Sequence, residues 1–450
     1  LKKLLEIGTI AGGAALLCWI AFYNGFPLVY SDGGTYLESG FTLETPLDRP
    51  IMYGLFMRAA SFNGLTLWSV IFIQSLMLVW MIRETVAVLF PENKTTPLTM
   101  LLLVLLAVCT GLPWIASQLI ADIFTPIGVL ALFVALFGRH SRGKTTVLFF
   151  ILLVACACHI SNVMICFAAA AATGIIHFIR HRRNKPLIVR RKHIFIAMLL
   201  PVLALLTMVS SISKSRHVFM MGHLIETGIL HAYLDDHCAT EEISFCRYRD
   251  RIPEGAETFI WNSDGDSALI LTGGWLGSKE EYSRIISETF SEGKYLKMHF
   301  AAAVSGTLRQ LATIRVGEGL GRYDSAQLVS QRIRKYFPHE HERYLQSRQS
   351  ADEFGESKVM DAINKISTVL ALLVIAAWLV MRGKKPEVLL FTALTALLAF
   401  AYLLNCGICA TLATVANRFG ARLSWMAVLL AVLLASEWII ASRKKTYADQ

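Results

Sequence analysis

The sequence predicts an all-α polytopic membrane protein with about ten transmembrane helices and a mixed extramembrane region between spans seven and eight. Three observations predict it. Of 450 residues, 55% are hydrophobic and only 17% charged, with a mean hydropathy of +0.52, too apolar for a soluble domain of this size. A hydrocarbon core about 30 Å thick needs roughly 20 apolar residues per helix. Such segments fall near 5–24, 66–88, 97–113, 118–137, 145–158, 163–179, 193–211, 366–381, 387–404 and 423–441, although the stretch 145–179 admits another division. Finally, basic residues cluster at Lys2/Lys3, Arg139–Lys144, Arg180–Lys192, Arg382–Lys385 and Arg443–Lys445. With ten spans all five clusters share one side, which the positive-inside rule makes cytoplasmic, together with both termini.

The first segment lacks a small-residue cleavage site after it and reads as a retained span. The external loop that follows, about 25–65, carries Tyr30-Ser-Asp-Gly-Gly-Thr-Tyr36, a strong turn sequence that pins a carboxylate, Asp32, between two tyrosines. A fixed carboxylate is also what a general base requires. Arg49-Pro-Ile-Met-Tyr-Gly-Leu-Phe-Met-Arg58 then combines a helix-start proline with apolar residues at helical spacing, too short to span, and predicts an interfacial helix. Glu38, Glu44 and Asp48 complete the acids of this loop.

At the start of the fourth span lies Asp122, in Ser117-Gln-Leu-Ile-Ala-Asp-Ile-Phe-Thr125. An acid at membrane depth is costly unless paired or solvated, which makes it a functional candidate; a helix-start residue near the positive end of the dipole is the plainer alternative. His159 falls in the turn between spans five and six.

The region 212–364 holds 22 acidic and 18 basic residues, a mixed surface like that of a folded domain, predicted to be α+β and periplasmic. Ser278-Lys-Glu-Glu281 has capping-box spacing and predicts a helix over 279–291, followed by a second over 294–313; Glu257–Trp261 and Ala268–Leu271, bounded by turn signals, read as strands. Cys238 and Cys246 sit here, outside the cytosol, and are expected to form a disulfide; the other seven cysteines lie in or beside spans. Three spans close the chain over 365–450, after a membrane domain of about seven spans over 1–211. Just before the last span, Arg418 and Arg422 stand four residues apart, on one helical face.

The formal charge of +10 belongs to short loops beside apolar spans, where it serves topology and anionic headgroups, so nucleic acid is not expected as a partner. What remains on the external face is a set of cations (Arg49, His159, Arg418, Arg422, with Lys214 and Arg216) around a few acids. Guanidinium groups bind phosphate oxygens in pairs, and one such residue alone is better explained by snorkelling or headgroup contact. Taken together, carboxylates and phosphate-binding cations at one leaflet point to transfer from a phosphate-linked lipid donor, the base deprotonating an acceptor hydroxyl.

On these residues the chain resembles the GT-C superfamily of membrane glycosyltransferases, which includes protein mannosyltransferases and the lipid A aminoarabinose transferase. Asp32 and Tyr36 match the acid and tyrosine of the first loop, Arg49-Pro50-Ile51-Met52-Tyr53 the interfacial opening, Asp122 a second acid, and Arg418-Phe419 the late arginine–aromatic pair. Two glycines follow Asp32 where a second acid is common, and Arg49 stands where histidine is usual. The resemblance implies a polyprenyl-phosphate-sugar donor, an envelope glycan, lipid or protein acceptor, and inversion at the anomeric carbon in a bacterial inner membrane. By the same resemblance, Asp32 is the base or its partner and Asp122 the second acid. Arg418, Arg422, His159 and Arg49 then sit near the donor phosphate, with Tyr36 and Tyr53 at the substrate. It leaves a divalent metal cofactor (Mg or Mn) open, on Asp32 and Asp122. The alternatives are a lipid or glycan transporter or flippase, and an O-antigen-type polymerase or ligase.

Overall fold

Apolar runs in this chain fold as helices, since a backbone that leaves water must satisfy its own N–H and C=O groups, which a helix does within one segment. A computed structural model describes residues 2–185, 189–355 and 357–448. Its first part contains α1 (Lys2–Leu17), α2 (Trp19–Asn24), α3 (Gly33–Thr42), α4 (Met52–Ala60), α5 (Trp68–Leu89), α6 (Glu92–Cys109), α7 (Leu112–Ser117), a 3₁₀ turn at Ala121–Ile123, α8 (Phe124–Phe137), α9 (Arg142–Cys158), α10 (Ile160–Arg182), α11 (Arg191–Leu206) and α12 (Val209–Glu226). The middle contains α13 (Ile229–His237), α14 (Ser244–Arg247), α15 (Ala256–Trp261), α16 (Ala268–Leu271), α17 (Gly274–Gly277), α18 (Lys279–Ser291), α19 (Gly293–Ala312), α20 (Leu328–Tyr336) and α21 (Pro338–Leu345). The chain closes with α22 (Lys358–Met381), α23 (Leu389–Leu412) and α24 (Asn417–Ala448).

Among the described residues six helices are long and apolar enough to cross a membrane: α5, α6, α10, α22, α23 with its preceding 3₁₀ turn, and α24. α11 and α12 make a seventh if counted as one span, although they bend by 77° at their junction. The other expected spans fold as shorter pieces. The segment 5–24 breaks at Cys18 into α1 and α2, and 118–137 yields only the 14-residue α8 after an irregular stretch. α8 is buried on every side, so its continuous hydrophobicity reflects a place at the centre of the bundle.

Two expectations for the middle region are corrected. Glu257–Trp261 and Ala268–Leu271 are helical, not strands, and no strand occurs among the described residues of the region. A short apolar run has no decisive period, and here burial of Ala256, Phe259 and Ile260 at helical spacing decides. The helix over 279–291 forms without its capping box. Ser278 donates instead to the Gly274 carbonyl at 2.6 Å, and Glu281 accepts from the Ser244 amide and hydroxyl.

The region 212–364 also divides. Residues from Val218 to Tyr295 enclose a core of their own, built around Tyr233, Phe245, Phe259 and Tyr282, with the Cys238–Cys246 disulfide at its edge. Val316, Leu320, Val329, Ile333, Phe337 and Tyr344 instead join the core of the membrane bundle. Both outer boundaries run through helices, α12 across residue 211 and α22 across residue 364. The side chains of Lys444 and Lys445, from the last basic cluster, lie outside those described.

Candidate functional site

Close backbone packing places the residues of the first loop. Gly25, at φ +83°, ends α2 in the left-handed region that glycine tolerates, and the chain is then clamped on both sides. Leu28 exchanges backbone hydrogen bonds with Ser117 and Leu119, both at 2.9 Å. The Gln349 side-chain amide donates to the Val29 carbonyl and accepts from its N–H, at 2.7 and 3.0 Å. The turn beginning at Tyr30 therefore leads into α3 from a fixed point, with Asp32 at the helix start. α3 and α4 meet through glycines: a Cβ on Gly40 would lie 2.3 Å from the Gly54 carbonyl, and one on Gly54 2.5 Å from that of Tyr36. This contact returns the chain so that Arg49, just ahead of α4, faces Asp32, just ahead of α3.

Asp32 lies between two guanidinium groups. Arg49 Nη1 is 2.9 Å from its Oδ1 and Arg418 Nη1 3.1 Å from its Oδ2. Burial would raise this carboxyl, but the charges of Arg49 and Arg418 outweigh it and hold the group down at about 2. Arg49 also pairs with Asp48 and lies over the rings of Tyr36 and Trp261. Arg418 lies over Tyr30 and Phe419, and Glu318 accepts from its backbone N–H at 3.0 Å.

Glu318 apart, these groups line a cavity of about 600 Å³. Its lining includes the charged groups Asp32, Asp48, Arg49, Arg216, Glu257 and Arg418. It also includes apolar groups, Met208, Ile212, Phe219 and Met220 at and beyond the α11–α12 bend and Leu412 at the end of α23. Trp261 and Glu257 bring the middle region to its wall.

A second charged centre adjoins the first. Arg422 has no exposed side chain; its Nη1 is 2.5 Å from Asp122 Oδ1, and it also donates to Asn405 Oδ1 and to Ser161 Oγ at 3.0 Å. Ser161 Oγ in turn lies 2.8 Å from His159 Nδ1. His159 caps α10, accepting from the Ser161 N–H, and also lines the large cavity. Burial, reinforced by Arg422, pushes its imidazole down to about 3, so it is neutral at physiological pH.

The structure therefore brings Asp32, Tyr36, Arg49, His159 and Arg418 to one cavity and leaves Asp122, Arg422 and Tyr53 off its wall. These three lie elsewhere. Tyr53 is a core residue, fully buried, donating to Gln74 Oε1 at 3.2 Å and packed edge-on against Tyr36. Asp122 and Arg422 pair with one another inside the protein and line a small separate pocket with Glu318 and Arg418. The reason is the same for all three: an apolar bundle has no water to satisfy these groups, so each is spent on an internal partner. As metal ligands Asp32 and Asp122 fit poorly. Each carboxylate is already neutralised by arginine, and among the described residues no group of three or more His, Cys, Asp or Glu could hold an ion.

The sequence assigns no site role to Glu257, Trp261, Glu318, Gln349 and Asn405. Only Asn405, a polar residue at the end of an apolar run, carried a signal of its own. Comparison of the chain with protein-family models, with curated proteins and with solved structures gives no match.

Proposed function

We propose that this chain is a GT-C-like membrane glycosyltransferase that moves a sugar from a polyprenyl-phosphate donor to an envelope acceptor. One observation carries the reading: the cavity lining is amphiphilic, combining the charged groups Asp32, Arg49 and Arg418 with the apolar groups Met208, Ile212 and Leu412. An anionic headgroup with a long hydrocarbon tail has that polarity.

In this reading the donor phosphate enters the cavity and recruits Arg418 or Arg49. Drawing one cation from Asp32 raises the basicity of its carboxylate only when donor is bound. Asp32 then takes the proton from the acceptor hydroxyl, whose oxygen attacks the anomeric carbon from the opposite face. The bond from sugar to phosphate oxygen breaks, and the electron pair leaves on the phosphate, where the arginine stabilises it. No step requires a metal.

The finer topology belongs to the same proposal: ten spans, with α1–α2, α8, α9 and α11 crossing alongside the six long helices, both termini cytoplasmic, and the cavity open to the periplasm. The region Val218–Tyr295, which reaches the cavity through Phe219, Glu257 and Trp261, orients the acceptor. The double pairing of Asp32 favours one second reading, a polymerase or ligase in which arginines bind the lipid-linked glycan phosphate and Asp32 merely positions them.

The test is incubation of the purified protein with radiolabelled polyprenyl-phosphate sugars and envelope lipid extract, scoring transfer. Asp32→Asn keeps the shape and removes the base, and the expected outcome is loss of transfer by about two orders of magnitude or more with donor binding retained. Full transfer by this variant rejects the base and leaves the second reading. Lipid movement in proteoliposomes without sugar transfer rejects both in favour of a flippase.

A further inference from the structure

The exposed side of α19 divides into two rows. Leu296, Phe300, Val304 and Leu308, each four residues from the next, are all exposed, and Phe300 is 73% exposed. The row that starts one residue later, Lys297, Ala301, Ser305 and Arg309, has two charged and two small residues and is also exposed. The apolar row is about 18 Å long at 1.5 Å per residue. A soluble surface does not leave four large apolar groups in line without a partner.

The packing of α19 identifies the partner. It runs antiparallel to α23: a Cβ on Gly306 would touch Ala410 at 3.2 Å, Thr307 faces Gly407, and the Tyr402 hydroxyl donates to the Leu311 carbonyl at 3.0 Å. Tyr402 is ten residues in from Leu412 at the cavity end of α23, a depth of roughly 15 Å along the helix. α23 is one of the six long apolar helices, and its Phe400 and Leu403 are exposed.

We propose that α19 is a lipid–water boundary helix, its Leu296–Phe300–Val304–Leu308 row immersed in the acyl chains of the leaflet on the cavity side and its Lys297–Ala301–Ser305–Arg309 row facing water. Lys294 and Lys297 at its amino end are placed to reach headgroups. The inference rests on α23 crossing the bilayer and is independent of whether sugar is transferred. It makes the middle region a membrane-borne wall of the cavity instead of a domain tethered above it.

Site-directed nitroxide labelling of the full chain tests this in vesicles of phosphatidylethanolamine and phosphatidylglycerol. Single variants F300C, V304C, L308C, A301C and S305C are compared, with the unsubstituted protein as the blank for native cysteines. Collision with dissolved oxygen is expected to dominate at 300, 304 and 308, and collision with a water-soluble nickel chelate at 301 and 305. Equal access of the chelate to all five overturns the proposal by placing the helix in water. Shielding of the apolar row from both reagents overturns it in favour of a covering protein partner, such as a second copy. L296C replaces any variant that does not elute like the parent.

Discussion

At the residue scale, a charged group in this bundle takes its meaning from its partner. Asp32 has lost proton affinity to Arg49 and Arg418, and His159 to burial and Arg422. Each folded-state pKa is depressed, from 3.8 to about 2 for Asp32 and from 6.5 to about 3 for His159. Such a group contributes stability above its unfolded value, and the contribution is lost as pH falls through the folded one. For His159 that window runs from 6.5 down to about 3. His159→Gln is expected to flatten the loss of thermal stability in this window, read as melting temperature against pH in detergent; an unchanged slope would show another group titrating there. In the same terms transfer should show no limb near pH 6.5 arising from His159. Tyr53→Phe removes a hydroxyl that donates to Gln74, not one that faces the cavity. It is expected to cost about 1 kcal/mol of stability while transfer persists. A large fall in turnover with unchanged melting temperature would return Tyr53 to the substrate.

At the element scale, the site depends on how closely α3 and α4 approach. Both helices are short, and neither offers a long apolar face; their contact is backbone on backbone at Gly40 and Gly54. Gly54→Ala puts a methyl group 2.5 Å from the Tyr36 carbonyl, where no flexible side chain can give way. The helices must separate, and with them Asp32 and Arg49. The expected outcome is a fall in transfer of at least about tenfold, because a misplacement near 1 Å costs that much or more. Wild-type transfer by G54A would mean that the Asp32–Arg49 geometry does not govern the reaction.

At the scale of the whole molecule, two cores coexist. The core from Val218 to Tyr295 packs Cys238 and Cys246 at its edge, and their bond closes a loop with a sequence separation of 8. The chain-entropy model gives such a short loop about 2–3 kcal/mol. Replacing both cysteines by serine should therefore raise protease cleavage between α13 and α18 while the bundle core, which contains neither cysteine, keeps its protection. Simultaneous loss of both would show that the two cores unfold as one unit.

Much of this arrangement was legible in the chain, for reasons that differ by element. The Ser-Asp-Gly-Gly turn, the helices over 279–291 and 294–313, the disulfide and the four-residue spacing of Arg418 and Arg422 are local, so spacing and residue type were enough to place them. Glu257–Trp261 and Ala268–Leu271 were misread as strands because a run that short fits either period. The segment around Asp122 was apolar enough for a span, yet folds as α7, a 3₁₀ turn and α8.

The sequence by itself determined that this is a helical protein of long apolar segments, because hydropathy and backbone hydrogen bonding act over one turn or one span at a time. Only the tertiary structure decided what its charges do. Asp32 meets Arg418 across 386 residues and Asp122 meets Arg422 across 300. No local pattern encodes such pairings; they follow from which helices touch, and so from the glycines and small residues that let them approach. That packing leaves one carboxylate at the wall of a cavity and closes the other inside the protein.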